Sequence, residues 1–495
     1  MQLNLTNITY TYPGASNPAV EPVTATFPQG WTGIVGDNGC GKTTLARLAC
    51  GLVRPDGGTV APKLFSVYCQ QDSSMAPNEL EDFAADWGRE AQELRRVLGI
   101  EDEWLWRYDT LSGGQQKRIQ IGCALWRRPD VLVMDEPTND LDATTRRQVT
   151  EALAGFSGIG LLISHDRALL DALVGHCLMF AGGRFVMRPG SYTQACGQAS
   201  VECETLQRER DKAKREKKRL EAEAARRRVE ADLAQAKRSA RKLDKHDSDG
   251  RERLGRAIVS GKDGVATKLS ASMAGRVAKA DEALQAATVG KRYVGRFRSY
   301  GEAAPAKTLI HHEAGMLSAG DFALDVPELW LGPIDHVVLT GDNGNGKSLL
   351  VRQLLSEVRE GVKVASVPQE VSDAVRAEAL AKLAQLPPAE RGRVLAVVGG
   401  LNSDPERLVD GADISPGELK KLLLAEQLVE NPNLLVLDEP TNHLDMGSID
   451  ALAALLEEFP GAFLLVTHDE SLRDSLEGQH WRIERNGSGC RLRTQ

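Results

Sequence analysis

The sequence predicts an α/β chain in which two similar halves are joined by a long α-helical hairpin. Three observations lead there. A length of 495 residues exceeds what one hydrophobic core organises, and at roughly 100 to 200 residues per domain it allows two or three. One glycine-rich stretch, with its apolar flanks, occurs twice in the chain. Between the copies lies a polar, basic segment whose small and apolar residues recur in steps of three and four.

The first copy reads "GWTGIVGDNGCGKTTLARLACGL", with Gly36, Gly41, Lys42 and Thr43 in the G-x-x-x-x-G-K-[ST] spacing. The second, "IDHVVLTGDNGNGKSLLVRQLL", repeats the spacing with Gly341, Gly346, Lys347 and Ser348. Each follows a strand-like run and enters a helix-like one, the context that marks a phosphate loop. Glycines let backbone N–H groups turn toward phosphate oxygens, the following helix offers its positive end, and lysine neutralises the β and γ phosphates. The candidate contacts are therefore Gly36, Asn38, Gly39, Gly41, Lys42, Thr43 and Thr44, and in the second copy Gly341, Asn343, Gly344, Gly346, Lys347 and Ser348.

The same further elements follow each loop. The apolar runs in "VLVMDEPTNDLD" and "LLVLDEPTNHLD" end in acids. Asp135 and Asp438 are placed to reach Mg²⁺ with the hydroxyls of Thr43 and Ser348, and Glu136 and Glu439 to polarise attacking water. "LLISHD" and "LLVTHD" present His165 and His468 toward a γ-phosphate, while Gln71 and Gln369 are further candidates for metal and water. Each half thus carries a set for hydrolysing Mg²⁺-bound nucleotide.

Taken in order, phosphate loop, glutamine loop, "LSGGQ", acid pair and histidine resemble ATP-binding cassette ATPase domains, and the likeness covers most of the chain outside the basic insert. In that family two cassettes close head to tail, each ATP lying between one phosphate loop and the opposite signature loop. The resemblance implies one site from Lys42, Asp135, Glu136 and His165 with Ser415, Gly417 and Glu418. The other combines Lys347, Asp438, Glu439 and His468 with Ser112, Gly113, Gly114 and Gln115. It also puts Tyr12 on the adenine as a stacking aromatic. "DEPTNHLD" and the tandem arrangement resemble more narrowly the ABC-F family, paired cassettes that act on ribosomes and not as pumps. The first copy departs from this motif, with Asp140 where the second has His443. Whether that tunes coupling or is neutral is open.

The second signature reads "SPGELKK" against "SGGQQKR" in the first. Pro416 has no N–H to donate. Two readings stand: a slower or differently gated Lys42 site, or a stiffer loop that remains active.

Between Ser200 and Tyr300 stand 27 Lys and Arg against 16 Asp and Glu, while the remainder holds 34 against 53. By itself such a segment is a nucleic-acid patch or a solvated helix face. Ala222, Ala225, Val229, Leu233, Ala236, Ala240 and Leu243 form one stripe, and Met273, Val277, Ala280, Leu284 and Ala287 another. They predict two antiparallel helices with a tip near 244–272. The domains expected are 1–198, 199–304 and 305–495. In ABC-F proteins the equivalent hairpin enters the ribosomal exit site, which implies contacts with large-subunit RNA and P-site tRNA near the peptidyl transferase centre.

"MQLNLTNITY" lacks a basic n-region and an apolar h-region, and no apolar run approaches the ~20 residues that cross a bilayer. A cytoplasmic chain without a membrane partner is expected, its cassettes pairing within one monomer. Eight cysteines without metal-ligand spacing read as reduced structural thiols. Only about forty residues separate Gln71 from Leu111, and the chain stops soon after "HWRIERNGSGCRLRTQ". This compact plan, with an SPG signature, resembles the antibiotic-resistance branch. The function expected is ATP-driven protection of ribosomes from antibiotics, with a housekeeping factor for stalled ribosomes and the ATPase subunit of an exporter as alternatives.

Overall fold

The structure, a computed structural model, describes residues 1–15, 17–139, 141–237, 264–286, 297, 300–320, 322–367, 373–405, 408, 414–486 and 489–494. Gln369, Asp140, most of the expected tip, and Ala240, Leu243 and Ala287 of the stripes lie outside the described residues. The chain divides into two compact units, Met1–Ala195 with Arg292–Gln495, and Cys196–Lys291.

In the first unit the N-terminal half begins with β1 (Gln2–Tyr10), β2 (Val20–Pro28) and β3 (Gly30–Val35), followed by β4 (Gly57–Ala61) and β5 (Ser66–Cys69). β6 (Val131–Asp135), β7 (Ile159–Ile163), β8 (Val174–Ala181) and β9 (Arg184–Pro189) complete it. The main sheet runs β5-β6-β7-β3-β8-β9, parallel except at its β8–β9 edge, and β2-β1-β4 form a separate antiparallel sheet. β6 and β7 are buried at every residue. Covered on both faces, they read as unbroken apolar runs without alternation.

The C-terminal half repeats this core. Its strands are β10 (Ile310–His312), β11 (Gly315–Ala319), β12 (Phe322–Val326), β13 (Leu329–Leu331) and β14 (His336–Gly341). β15 (Val364–Val367), β16 (Leu434–Asp438), β17 (Ala462–Val466), β18 (Gln479–Asn486) and β19 (Gly489–Thr494) follow. Here β11 and β12 join the main sheet through β19, giving the order β11-β12-β19-β18-β14-β17-β16-β15. In both halves the strand before the phosphate loop sits mid-sheet beside the strand that leads to the histidine, which in turn pairs with the strand that ends in acids. Ligands of open parallel sheets bind at that end.

The second unit contains most of a 46-residue helix, Tyr192–Lys237, and the helix Gly264–Ala286. The latter begins within the expected tip, so Gly264–Ser272 are helical. Lys217 of the first helix donates to Asp281 of the second. The stripe expected in the second helix is the covered one, with Met273 buried and Val277, Ala280 and Leu284 partly so. In the first helix the expected phase is wrong, because Ala222, Ala225 and Val229 are exposed. The covered face passes through Ala213, Lys217, Leu220, Ala224 and Arg227, with Leu220 buried. Alanines occur on every side of this helix and specify no face, whereas burying one leucine contributes about 1.5–3 kcal/mol and sets the phase. Among the described residues no helix is long and apolar enough to cross a membrane, and none of the eight cysteines is in a disulfide.

Leu220→Ala is therefore expected to lower the local opening free energy of this unit by about 2–3 kcal/mol. Val229→Ala should change it by less than about 0.5 kcal/mol. Amide hydrogen exchange across 205–235 of the full chain measures both.

Candidate nucleotide-hydrolysis sites

Each phosphate loop ends at a glycine that begins a helix in the left-handed conformation, Gly41 with φ 93° before Lys42–Ala49 and Gly346 with φ 87° before Lys347–Ser356. A Cβ on Gly41 would lie 2.4 Å from the Ala19 carbonyl oxygen, so both conformation and space demand glycine there. Lys42 Nζ donates to the carbonyls of Gly36 at 2.8 Å and Asp37 at 3.0 Å. Lys347 Nζ donates to Gly341 O at 2.7 Å. These bonds hold each ammonium inside its own loop.

Hydroxyl and acid meet in both halves. Thr43 Oγ1 donates to Asp135 Oδ2 at 3.0 Å, and Ser348 Oγ to Asp438 Oδ2 at 3.2 Å. Tyr68, not anticipated, donates its hydroxyl to the same Asp135 oxygen at 2.5 Å. A hydroxyl and a carboxylate converging beside the loop lysine are hard oxygen donors of the kind Mg²⁺ takes. Gln71 reaches across the halves: its Nε2 lies 3.4 Å from Nδ1 of His443.

The neighbouring glutamates are buried and held at positive φ, 49° for Glu136 and 46° for Glu439, a conformation uncommon outside glycine and costly unless its surroundings impose it. Their amides donate to the ends of the adjacent strands, Glu136 N to Ile163 O and Glu439 N to Val466 O. One carboxylate oxygen of each accepts the backbone N–H of the following histidine residue, from His165 and from His468, both at 3.2 Å. The other, Oε1, accepts no hydrogen bond and lies 3.3 or 3.4 Å from the imidazole Nε2. Burial, with help from Asp135, pushes the Glu136 carboxyl up to about 8. Burial likewise pushes Glu439 up to about 7. Burial and then the loop lysine depress each histidine to about 3, so both rings are neutral. Lys347 Nζ, which can only donate, lies 2.8 Å from His468 Nε2.

The two halves meet through the aspartates that close "TNDLD" and "TNHLD". Asp142 Oδ1 accepts from Thr145 N at 2.8 Å, capping its own helix, while Oδ2 accepts from Asn343 N of the opposite loop at 3.4 Å. Asp445 does the same with Ser448 N at 2.8 Å and Asn38 N at 3.2 Å. Asn38 Nδ2 adds a bond to His443 O at 3.0 Å. Neither aspartate was among the sequence candidates; the signal was their repetition at one offset from each acid pair.

The signature loops open matching helices, Gly113–Trp126 and Pro416–Leu428. Ser112 with Gln115 and Ser415 with Glu418 form reciprocal capping boxes, which engage the side chains of Gln115 and Glu418. Pro416 is the first helical residue, where a missing N–H breaks no helix bond. Gly417 backs onto His443, whose carbonyl oxygen would lie 2.3 Å from an added Cβ. Since that oxygen also accepts from Asn38, the second signature and the first phosphate loop share a neighbour. Gly113 and Gly114 occupy the corresponding first turn, and Lys117 Nζ ties it to the carbonyls of Gln70 and Gln71 at 2.8 and 2.9 Å. Tyr12, exposed, shares a 3.0 Å hydrogen bond with Thr44 Oγ1 and meets Tyr10 edge to face. Gly36, Gly39 and Gly344 lie in the loops themselves.

A cavity of about 570 Å³ between the halves is lined by His165, His468 and the helices that follow the capping aspartates. At its rim Arg167 pairs with Asp450 of the other half. The positions related by the repeat, Glu470 and Arg147, also line the cavity with the signs exchanged.

Comparison with known proteins agrees with this architecture. The family model described as ABC transporter matches residues 20–139 and 325–442. ATP-binding protein Uup of Caulobacter vibrioides is 30% identical over 480 residues, 92% of this chain and 72% of that protein. Tylosin resistance ATP-binding protein TlrC of Streptomyces fradiae is 29% identical, covering 91% and 92%. Ribosome protection protein VmlR of Bacillus subtilis is 25% identical, covering 98% and 87%. In fold, the solved structure of RNase-L Inhibitor superposes with a TM-score of 0.61 at 18% identity, over 98% of this chain and 89% of that one.

Two measurements test this geometry. The glutamates are raised from an ordinary value near 4.5, so the stability they contribute is present at low pH and is lost as pH rises through about 7 and 8. The histidines are depressed from 6.5, and their opposite contribution is complete above that value. Between pH 6.5 and 8, nucleotide-free protein should therefore lose stability, with Glu439 contributing to the loss up to about pH 7 and Glu136 up to about pH 8. Thermal melts should show a shallower decline for Glu136→Gln/Glu439→Gln. At the rim, Arg167→Glu should weaken ATP-dependent closure two- to fivefold, about 0.5–1 kcal/mol. Adding Asp450→Arg should restore most of it, read by fluorescence transfer between labels on the two halves.

Proposed function

This chain belongs to the ABC-F family of tandem-cassette ATPases, and on that premise we propose that it binds ribosomes in the cytoplasm and uses ATP-dependent closure of its cassettes to act there, protecting them from antibiotics. The observation that carries the reading is the excess of basic residues between the two cassettes, 27 Lys and Arg against 16 Asp and Glu in an otherwise acidic chain. Such charge suits phosphate contacts that position a protein on RNA without reading its sequence. Two relatives support the choice of target, one named for tylosin resistance and one for ribosome protection.

In this proposal each ATP lies between one phosphate loop and the opposite signature helix. Lys42 and Lys347 exchange their loop carbonyls for phosphate oxygens as nucleotide enters. Thr43 with Asp135, and Ser348 with Asp438, would hold Mg²⁺, with Gln71 and Gln369 as further candidates; the ion supplies charge neutralisation on the phosphates. Glu136 and Glu439 receive the proton of the attacking water on the Oε1 that has no hydrogen-bond partner, a task suited to carboxyls raised toward neutrality. Neutral His165 and His468 orient them and face the γ-phosphate. The Asp142 and Asp445 contacts tie each loop to the opposite cassette, so closure and site assembly are one event. The hairpin, placed by closure near the tRNA exit site and peptidyl transferase centre, is the part assigned to displace drug or reshape its surroundings.

Glu136→Gln/Glu439→Gln is expected to keep ATP binding, lose at least ~100-fold in turnover, and accumulate on ribosomes in ATP. Pelleting through a sucrose cushion measures this, and no ATP-dependent gain would remove the ribosome from the proposal. Reversing Arg226 and Arg228 to Glu, both on the exposed face, should weaken association and flatten its salt dependence. Expression in a sensitive bacterium against macrolides, lincosamides, streptogramins, pleuromutilins and phenicols then separates protection from a housekeeping role, which leaves every inhibitory concentration unchanged.

A further inference from the structure

The two sites also differ where the repeat is broken beside the histidine loops. Four residues after the capping aspartate the N-terminal cassette has Arg146 and the C-terminal cassette has Ile449. Arg146 Nη1 donates across the interface to the backbone carbonyl of His468 at 3.1 Å. The same nitrogen lies 4.0 Å from Asp166 Oδ2 in its own cassette. Asp166 follows His165 and caps the next helix through a bond from Leu169 N at 3.0 Å. The guanidinium is thus set between the two histidine loops, largely covered, with its Nε making no hydrogen bond.

The effect falls on one residue, through the two peptide groups that flank its Cα. The N–H of His468 holds Glu439 at 3.2 Å, and its C=O is held by Arg146. The residue is therefore gripped from both cassettes. His165 N grips Glu136 equally, at 3.2 Å. Facing that histidine loop across the cavity, however, is Ile449, which has no donor to give.

We propose that Arg146 is a positioning residue acting in trans on the Lys347 site alone. It orients His468, and through it Glu439, only when the cassettes are closed, making this site more dependent on closure than the Lys42 site. A charge-assisted bond to a carbonyl in a covered setting is strong enough to fix such a loop. A misplaced base is enough to slow hydrolysis without altering nucleotide binding. This goes beyond, and rests on, the reading of Glu136 and Glu439 as acting in two separate hydrolysis sites.

The test is vanadate trapping of radiolabelled azido-ATP by the full chain, with the label assigned to each cassette by peptide mass spectrometry. Arg146→Ile should slow trapping at the Lys347 site about tenfold and leave the Lys42 site within about twofold. Labelling without vanadate, which reports binding, should be unchanged at both. Arg146→Lys retains a donor and should return the Lys347 site to within about threefold of the unaltered chain. Equal slowing at both sites, no slowing at the Lys347 site, or no recovery with lysine would overturn the proposal. If Arg146→Ile loses binding altogether, the lysine variant decides: a normal rate at the Lys347 site supports the bond, and equal slowing at both sites refutes it. Unslowed trapping at the Lys347 site in Glu439→Gln would instead overturn the underlying assignment, without reference to Arg146.

Discussion

Much of this structure depends on burying an ionisable carboxyl at the end of a fully covered parallel strand. Glu136 and Glu439 sit where an apolar run stops, at positive φ, with little exposure to water. A carboxylate there is expensive. The surroundings meet the expense with the amide of the following histidine, the neighbouring loop lysine, and a protonation equilibrium moved toward neutrality. The same arrangement keeps one oxygen without a hydrogen bond.

The second dependence is between halves. Asp142 and Asp445 each spend one oxygen on their own helix and the other on the opposite phosphate loop. A rigid helix start is thus tied to a loop whose shape determines nucleotide contact. Such a link couples the loop of one half to the helix start of the other. The altered signature loop respects it: Pro416 occupies the one helical position that tolerates proline, and Glu418 replaces Gln115 without losing the reciprocal cap. Relative to "SGGQQKR" the proline therefore breaks no helix bond.

Fold and site were legible in the sequence to different depths. The phosphate loops, acid pairs, histidines and signature serines were readable because each chemistry admits few residue types at one spacing, and the repeat presented every element twice. Apolar runs such as "VLVMD" and "LLVLD" announced strands, since strands covered on both faces carry no polar alternation. Tyr68, Lys117 and the partners of Asp142 and Asp445 were not readable, because their roles come from residues tens or hundreds of positions away.

By itself, then, the sequence determined two nucleotide-binding α/β halves, the phosphate-loop, acid-pair and histidine motifs that supply their candidate side chains, and the basic helical segment between them, since local periodicity and motif spacing are properties of a chain. Tertiary structure alone decided which face of the first long helix is covered, since alanines left the phase free until Leu220 was buried. It also decided that Gln71 meets His443, that Gly417 has no room for a side chain, and that Arg146 reaches across to His468 while Ile449 cannot. Those are matters of distance between segments, and distance across a fold is set by packing.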